Sequence, residues 1–342
     1  MVIIAIIALI VVAIALLGRS TVERLKIAEN VKPSTATFRP GMTRVEFDSV
    51  KPGINIVGNI YIPDNYKEGE KRAGLVVAPP ATSVKEQSAH NYAERMRKLG
   101  YITLTFDPRG IGETKGIEGN ANPSMVANDI SSAVTYLSSL PQVDSKKIAN
   151  LGICAQAASS AYESAHDPRI KAVGLVSPSL DGAELAGGTS FLTRWGVYLL
   201  GGVVRILYTL GINPRIPAFP ETEAQLSNAT PMQKGMAGFY AAGKVGSHPR
   251  WKNALSMTSF AGIASLHIND HAPKFDNIPV HVEAGKAAQS LEPAERFFKL
   301  LKGPAEKSMN KIEGSDHFDL YWKPEYVDQA VARLDSFYRK HL

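Results

Sequence analysis

Cys154 is the single cysteine of this 342-residue chain, and it stands in Gly152-Ile153-Cys154-Ala155-Gln156. The run has the G-x-nucleophile-x-G form of a nucleophile elbow, with glutamine in the last glycine place. Such an elbow holds its nucleophile on a tight strand-to-helix turn, which small neighbours allow. The helix N-terminus there lowers a thiol pKa and offers N–H groups to an oxyanion. A lone cysteine is most often a buried, inert hydrophobe, so the reading needs a base. Gly314-Ser315-Asp316-His317-Phe318 provides one, late in the chain and ahead of the final helix. A neutral imidazole at His317 can take the thiol proton and return it to a leaving group. None of the other seven histidines stands in an equivalent place. Leu75 to Ala78 leads into Pro79-Pro80-Ala81-Thr82, the position of a loop that lends one backbone N–H to an oxyanion hole. Ala81 is the candidate donor there, and Ala155, after the nucleophile, is the second. Pro79 and Pro80 have no N–H to give.

These residues need a sheet to hold them. Strands are expected at Val45–Phe47, Ile54–Ile62, Leu75–Ala78, Ile102–Phe106, Ile148–Ile153, Lys171–Ser177, Val280–Ala284 and, more weakly, Met309–Ile312. Helices are expected from Lys85 to Leu99, after a cap at Ser124, after Cys154, and from Pro324 with Val327, Val331, Leu334 and Tyr338 on one face. This βαβα rhythm predicts an α/β fold with a mostly parallel sheet and helices on both faces. Reactive groups then collect at the carboxyl ends of the strands. About 100 residues separate Ser177 from Val280, too many for a loop in a compact domain. A helical cap inserted over about residues 182–275 is expected. Its most apolar stretch, Trp195 to Ile212, reads as cap helices, because Arg205 would sit near the middle of a span.

The combined pattern resembles the α/β-hydrolase superfamily, in the branch of dienelactone hydrolases and related bacterial esterase-like hydrolases. The resemblance covers about residues 43–342. It rests on Val84-Lys85-Glu86-Gln87 with Tyr92-Ala93-Glu94-Arg95, on Phe106-Asp107-Pro108-Arg109-Gly110-Ile111-Gly112-Glu113-Thr114, on Leu151-Gly152-Ile153-Cys154-Ala155, and on His317-Phe318-Asp319-Leu320-Tyr321. It implies a Cys154–His317 pair completed by an acid, hydrolysis of an ester, thioester or lactone through an acyl-enzyme, and no metal or organic cofactor. Asp107 and Arg109 carry a structural role by the same resemblance. The acid departs from the family pattern, because Gly285-Lys286-Ala287-Ala288-Gln289 follows the strand that should precede it and holds no carboxylate. Asp181, after the preceding strand, is the leading alternative, against Glu292, Asp276 or no acid at all. Asp316 and Asp319 are expected to be local hydrogen-bond partners. The missing acid and Gln156 motivate a second reading, an inactive α/β-hydrolase that binds a ligand or partner at a membrane. A His317 that lacks a carboxylate partner, or points away from Cys154, would favour it.

Val2 to Leu17 is an unbroken apolar run followed by a basic stretch, Arg19 to Arg44, with six basic and two acidic residues. The run predicts an N-terminal transmembrane anchor over residues 1–18, and the basic flank places the following domain in the cytoplasm, an exported domain being the alternative. Pro33, Ser34, Thr35, Thr37 and Pro40 predict a linker over residues 19–42. The basic stretch carries a surplus of four of the chain's six net positive charges, so the body is nearly neutral. A neutral body argues against nucleic acid as a partner; the resemblance implies a small ester-like molecule, and the apolar run implies a membrane. One cysteine excludes an internal disulfide, and a 44% apolar, 20% charged composition excludes a disordered chain.

Overall fold

The computed structural model describes residues 2–180, 182 and 190–342. Eight strands form one sheet: β1 (Gly41–Asp48), β2 (Asn55–Ile62), β3 (Arg72–Ala78), β4 (Ile102–Phe106), β5 (Val143–Ile153), β6 (Ile170–Val176), β9 (Val280–Gly285) and β10 (Lys307–Ile312). Their order is β1-β2-β4-β3-β5-β6-β9-β10. β2 runs antiparallel to both β1 and β4, and the remaining pairs are parallel. The central strands are apolar without alternation, as a sheet covered on both faces requires: Leu75, Val76, Val77 and Ala78 have no exposed surface. Edge strand β1 instead alternates, burying Val45 and Phe47 only.

Helices α2 (Ser88–Lys98), α3 (Pro123–Ser139) and α4 (Gln156–Ser164) follow β3, β4 and β5. α2 starts three residues later than the sequence predicts. Lys85 is committed to a buried ion cluster, and Val84 and Gln87 close a turn on each other. α3 is capped by Asn122, which accepts from the Ser124 N–H, rather than by Ser124. Pro123 fits the first helical position because that residue needs no N–H there.

Between β6 and β9 lie α5 (Phe191–Thr209), α6 (Glu223–Ser227), α7 (Pro231–Tyr240), a two-stranded ribbon of β7 (Arg215–Ile216) and β8 (Leu255–Ser256), and α8 (Phe260–Ile263). They occupy the segment where a cap is expected. α9 (Leu291–Leu300), α10 (Asp319–Trp322) and α11 (Pro324–His341) complete the chain.

The apolar front does form a helix, α1 (Val2–Arg19), but the expected transmembrane anchor is not supported. Among the described residues no helix is long and apolar enough to cross a membrane. The C-terminal part of α1 is also occupied by α5. Added Cβ atoms at Gly18 and Gly202 would come within 1.8 Å of Tyr198 and Ile14 carbonyl oxygens, so glycines let the two backbones touch.

The basic stretch after α1 lies along α3 as a strap. The Thr21 carbonyl accepts from Asn122 Nδ2 at 3.0 Å, the Lys26 N–H donates to Asn128 Oδ1 at 2.7 Å, and the Phe38 N–H donates to Gln142 Oε1 at 2.7 Å. Glu23 binds Arg109, whose side chain also bonds buried Asp129.

Candidate active site

β5 ends at Ile153 and α4 begins at Gln156, so the turn between them is two residues long. Cys154 occupies it with φ of 60°, a left-handed conformation rare for a residue with a Cβ. Two neighbours permit this strain. A Cβ on Gly152 would lie 2.6 Å from the Ser160 Cβ, so only glycine lets α4 pack down on the strand end. Gln156 is buried and turns its Oε1 to accept the Ser159 hydroxyl at 2.6 Å, which explains how a long side chain fits the last glycine place.

The segment after β10 brings His317 to the same spot. Its Nε2 lies 3.3 Å from Cys154 Sγ. The Asp316 carboxylate accepts the Phe318 and Asp319 N–H groups, and the Asp319 carboxylate accepts the Asp316 N–H, so both acids shape this turn as local partners. The His317 carbonyl accepts the Ser177 hydroxyl at 2.6 Å. From the cap, Gly235 of α7 sits so close to the Phe318 ring that a Cβ would meet it at 2.3 Å. His317 is consequently only 1% exposed.

The acid place holds a serine. Ser290 Oγ lies 2.7 Å from His317 Nδ1, at the residue just past the carboxylate-free stretch that follows β9. Glu292 is exposed and pairs with Arg296. Asp276 is exposed before β9, at the end of the strand away from the site. Asp181 lies outside the described residues. No described carboxylate hydrogen-bonds His317, while its ring does face Cys154.

Tyr321 is the other residue that reading the sequence left without a role. One helical turn after His317, its hydroxyl lies 3.1 Å from Nε2. The same hydroxyl acts on the Cys154 sulfur, as do the backbone N–H groups of Ala155 and Ala81. Nε2 thus faces a thiol and a phenol, and as the acceptor nitrogen its one lone pair takes a proton donor from either of them. Nδ1 then carries the proton and donates it to Ser290 Oγ.

Burial dominates the protonation states. It pushes the Cys154 thiol up, against the opposing pull of Tyr321 and the two N–H groups. It lowers the His317 imidazole to about 4. It raises the Tyr321 phenol well above its ordinary value, so Tyr321 stays a donor. The resting pair near neutral pH is therefore thiol and neutral imidazole.

Ala81 and Ala155 also open onto a cavity of about 250 Å3. Its far walls are apolar, with Leu180, Leu255, Phe260, Ile263 and Leu266. The loop bearing Ala81 is propped from beneath by Lys85, which is fully buried and paired with Asp107 at 2.9 Å, Glu86 at 3.0 Å and Glu113. Asp107 serves in this support, whereas Arg109 joins the strap to α3 through Glu23 and Asp129.

A sheet in this strand order, with a strained nucleophile turn after its fifth strand and a histidine after its last, is the α/β-hydrolase fold. No protein-family model matches the chain. An uncharacterised protein YcjY of Escherichia coli is 26% identical over 304 residues, 86% of this chain and 97% of that protein. Acyltransferase drtE of Aspergillus calidoustus is 31% identical over 289 residues, 80% of this chain and 89% of the relative. Thiohydrolase apmlB of Arthrinium phaeospermum is 31% identical over 115 residues, 33% of this chain and 38% of the relative. The crystal structure of protein PA2218 from Pseudomonas aeruginosa superposes with a TM-score of 0.76 at 24% identity, covering 94% of this chain and all of that one. The chain belongs to the α/β-hydrolase superfamily of enzymes.

Proposed function

We propose that the chain hydrolyses thioesters, and more slowly esters or lactones, through a cysteinyl acyl-enzyme. The observation that carries this reading is the convergence of His317 Nε2, at 3.3 Å, and the Ala81 and Ala155 N–H groups on one sulfur. The acyl group enters the apolar cavity. The Cys154 thiol gives its proton to His317 Nε2 as its sulfur bonds to the carbonyl carbon. The tetrahedral oxyanion takes hydrogen bonds from the Ala81 and Ala155 N–H groups. His317 returns the proton to the leaving thiol or alcohol as its bond to carbon breaks, leaving a Cys154 thioester. Water then attacks, loses a proton to His317, and the Cys154 thiol is restored as the acid departs.

A thioester is the favoured substrate on two grounds. Its leaving group is weakly basic, which suits a buried imidazole whose Nδ1 meets the Ser290 hydroxyl. A relative that matches a third of the chain is also named a thiohydrolase. Acyl transfer uses the same first half, with an alcohol or amine replacing water. The relative named an acyltransferase supports that variant. Ser290 in the acid place is the one observation on the side of the inactive, ligand-binding reading, and the approach of His317 Nε2 to Cys154 Sγ at 3.3 Å weighs against it.

One experiment separates these readings. The full chain is incubated with short acyl-thioesters of N-acetylcysteamine, and release of thiol and acid is followed beside intact-mass measurement. Hydrolysis predicts a mass gain of one acyl group on wild type but none on Cys154→Ala. It also predicts a rate about 10²–10⁴-fold lower in His317→Ala. Acyl-enzyme that persists until an alcohol or amine is added would favour transfer. No acylation and no turnover would leave the binding reading.

A further inference from the structure

The surface of α1 is unlike that of any other described helix. Around Ile6 to Ala13 it is apolar on every side and exposed on every side, with Leu9 at 69% and Ile10 at 54%. Ile14, Ala15 and Gly18, which are less exposed, turn toward α5. α5 extends the same surface with Val203, Ile206 and Leu210, all exposed. A soluble surface seldom carries a contiguous apolar patch of this kind without a ligand for it.

The chemistry changes abruptly at the root of this finger. A cavity of about 530 Å3 lies where the chain leaves α1, between the strap, the loop after Asp107 and α5. Arg24, Lys26, Lys51 and Arg205 line it. The one acid in its wall, Glu23, is already bound to Arg109 and Asn128. Among the described residues, those four cations have no ion pair. An apolar projection with unneutralised cations at its base matches the two layers of an anionic bilayer, acyl chains beneath charged phosphates.

We propose that α1 and the adjoining face of α5 insert into one leaflet of an anionic membrane, and that the root cavity takes a lipid phosphate. At about 27 Å α1 is longer than one leaflet is deep, about 15 Å, so it enters tilted, with the exposed stretch Ile6 to Ala13 in the acyl layer. The protein then sits on the bilayer without spanning it. α8 links this surface to the acyl cavity. Phe260 and Ile263 line the cavity, while the Ala261 Cβ packs so close to α5 that a Cβ added at Gly201 would meet it at 3.0 Å.

The test is flotation of the full chain with phosphatidylcholine vesicles, with and without phosphatidylglycerol. Binding is expected only with phosphatidylglycerol, to weaken about fivefold for each of Arg24→Gln, Lys26→Gln and Arg205→Gln, and to vanish in Leu9→Asp/Ile10→Asp. Folding of each variant is checked by circular dichroism. Alkaline carbonate should strip the protein from the vesicles. Retention after carbonate would overturn single-leaflet insertion in favour of a span. Equal binding to neutral vesicles, or charge variants that bind like wild type, would overturn the phosphate site. Complete competition by millimolar inorganic phosphate would assign the cavity to a soluble anion. No flotation, with a solution dimer that Leu9→Asp/Ile10→Asp dissociates, would assign the apolar face to a second copy.

Discussion

His317 is held neutral by burial, and that has a measurable consequence for stability. Its folded pKa of about 4 lies below the ordinary 6.5. Above pH 6.5 neither state binds the proton. As pH falls from 6.5 toward 4 the unfolded chain binds it and the folded chain does not, so stability drains away across that window. The loss reaches about 3 kcal/mol at the lower end. His317→Asn should lose correspondingly less stability between pH 7 and pH 4, measured by urea unfolding at both. Parallel losses in the two proteins would contradict a buried neutral imidazole. Ser290 sets the activity counterpart. Ser290→Asp places a carboxylate at Nδ1 and should raise the acid limb of the kcat/KM profile by about one to three pH units. Ser290→Ala should leave that limb in place and lower kcat, because the tautomer loses its anchor.

At the scale of elements, the oxyanion loop depends on what lies beneath it. Lys85 has no exposed side-chain surface and neutralises Asp107, which has none either. Lys85→Met should destabilise the chain by about 3–5 kcal/mol, since it strands a buried charge. Asp107→Asn on that background should restore part of the loss, and the midpoint of urea unfolding reports both. The predicted start of α2 at Lys85 differs from the observed Ser88 for the same reason. Local propensity favours helix there, but the ion cluster claims Lys85. The elbow was legible because its signal is local: a strand end, a small residue, a nucleophile and a helix. The acid place was not, because Ser290 reaches Nδ1 from 27 residues away. A serine has no chemical signature that separates it from the other serines of the chain. Tyr321 is equally anonymous in sequence until one turn of helix swings its hydroxyl onto Nε2.

At the scale of the whole molecule, the strap ties the front of the chain to its catalytic body. Arg109 bridges them, donating to Glu23 at 2.9 Å and bonding Asp129 within α3. Glu23→Gln weakens one side of that bridge and leaves the other intact. Cleavage by a protease within residues 24–40 should accelerate several-fold, while the unfolding midpoint of the body moves little. An unchanged cleavage rate would show that the backbone bonds to α3 hold the strap alone.

Sequence by itself determined the layered α/β architecture, because strand and helix periods are written in consecutive residues. It also determined the candidate nucleophile, base and oxyanion N–H groups, because each sits at the end of a recognisable strand. The tertiary structure alone decided three things: that a serine stands behind His317, that Tyr321 shares its Nε2, and that α1 leans on α5 instead of standing free as an anchor. Each depends on contacts between distant segments. The free energy of such contacts comes from shape, burial and the absence of competing partners, and no short window of residues records those.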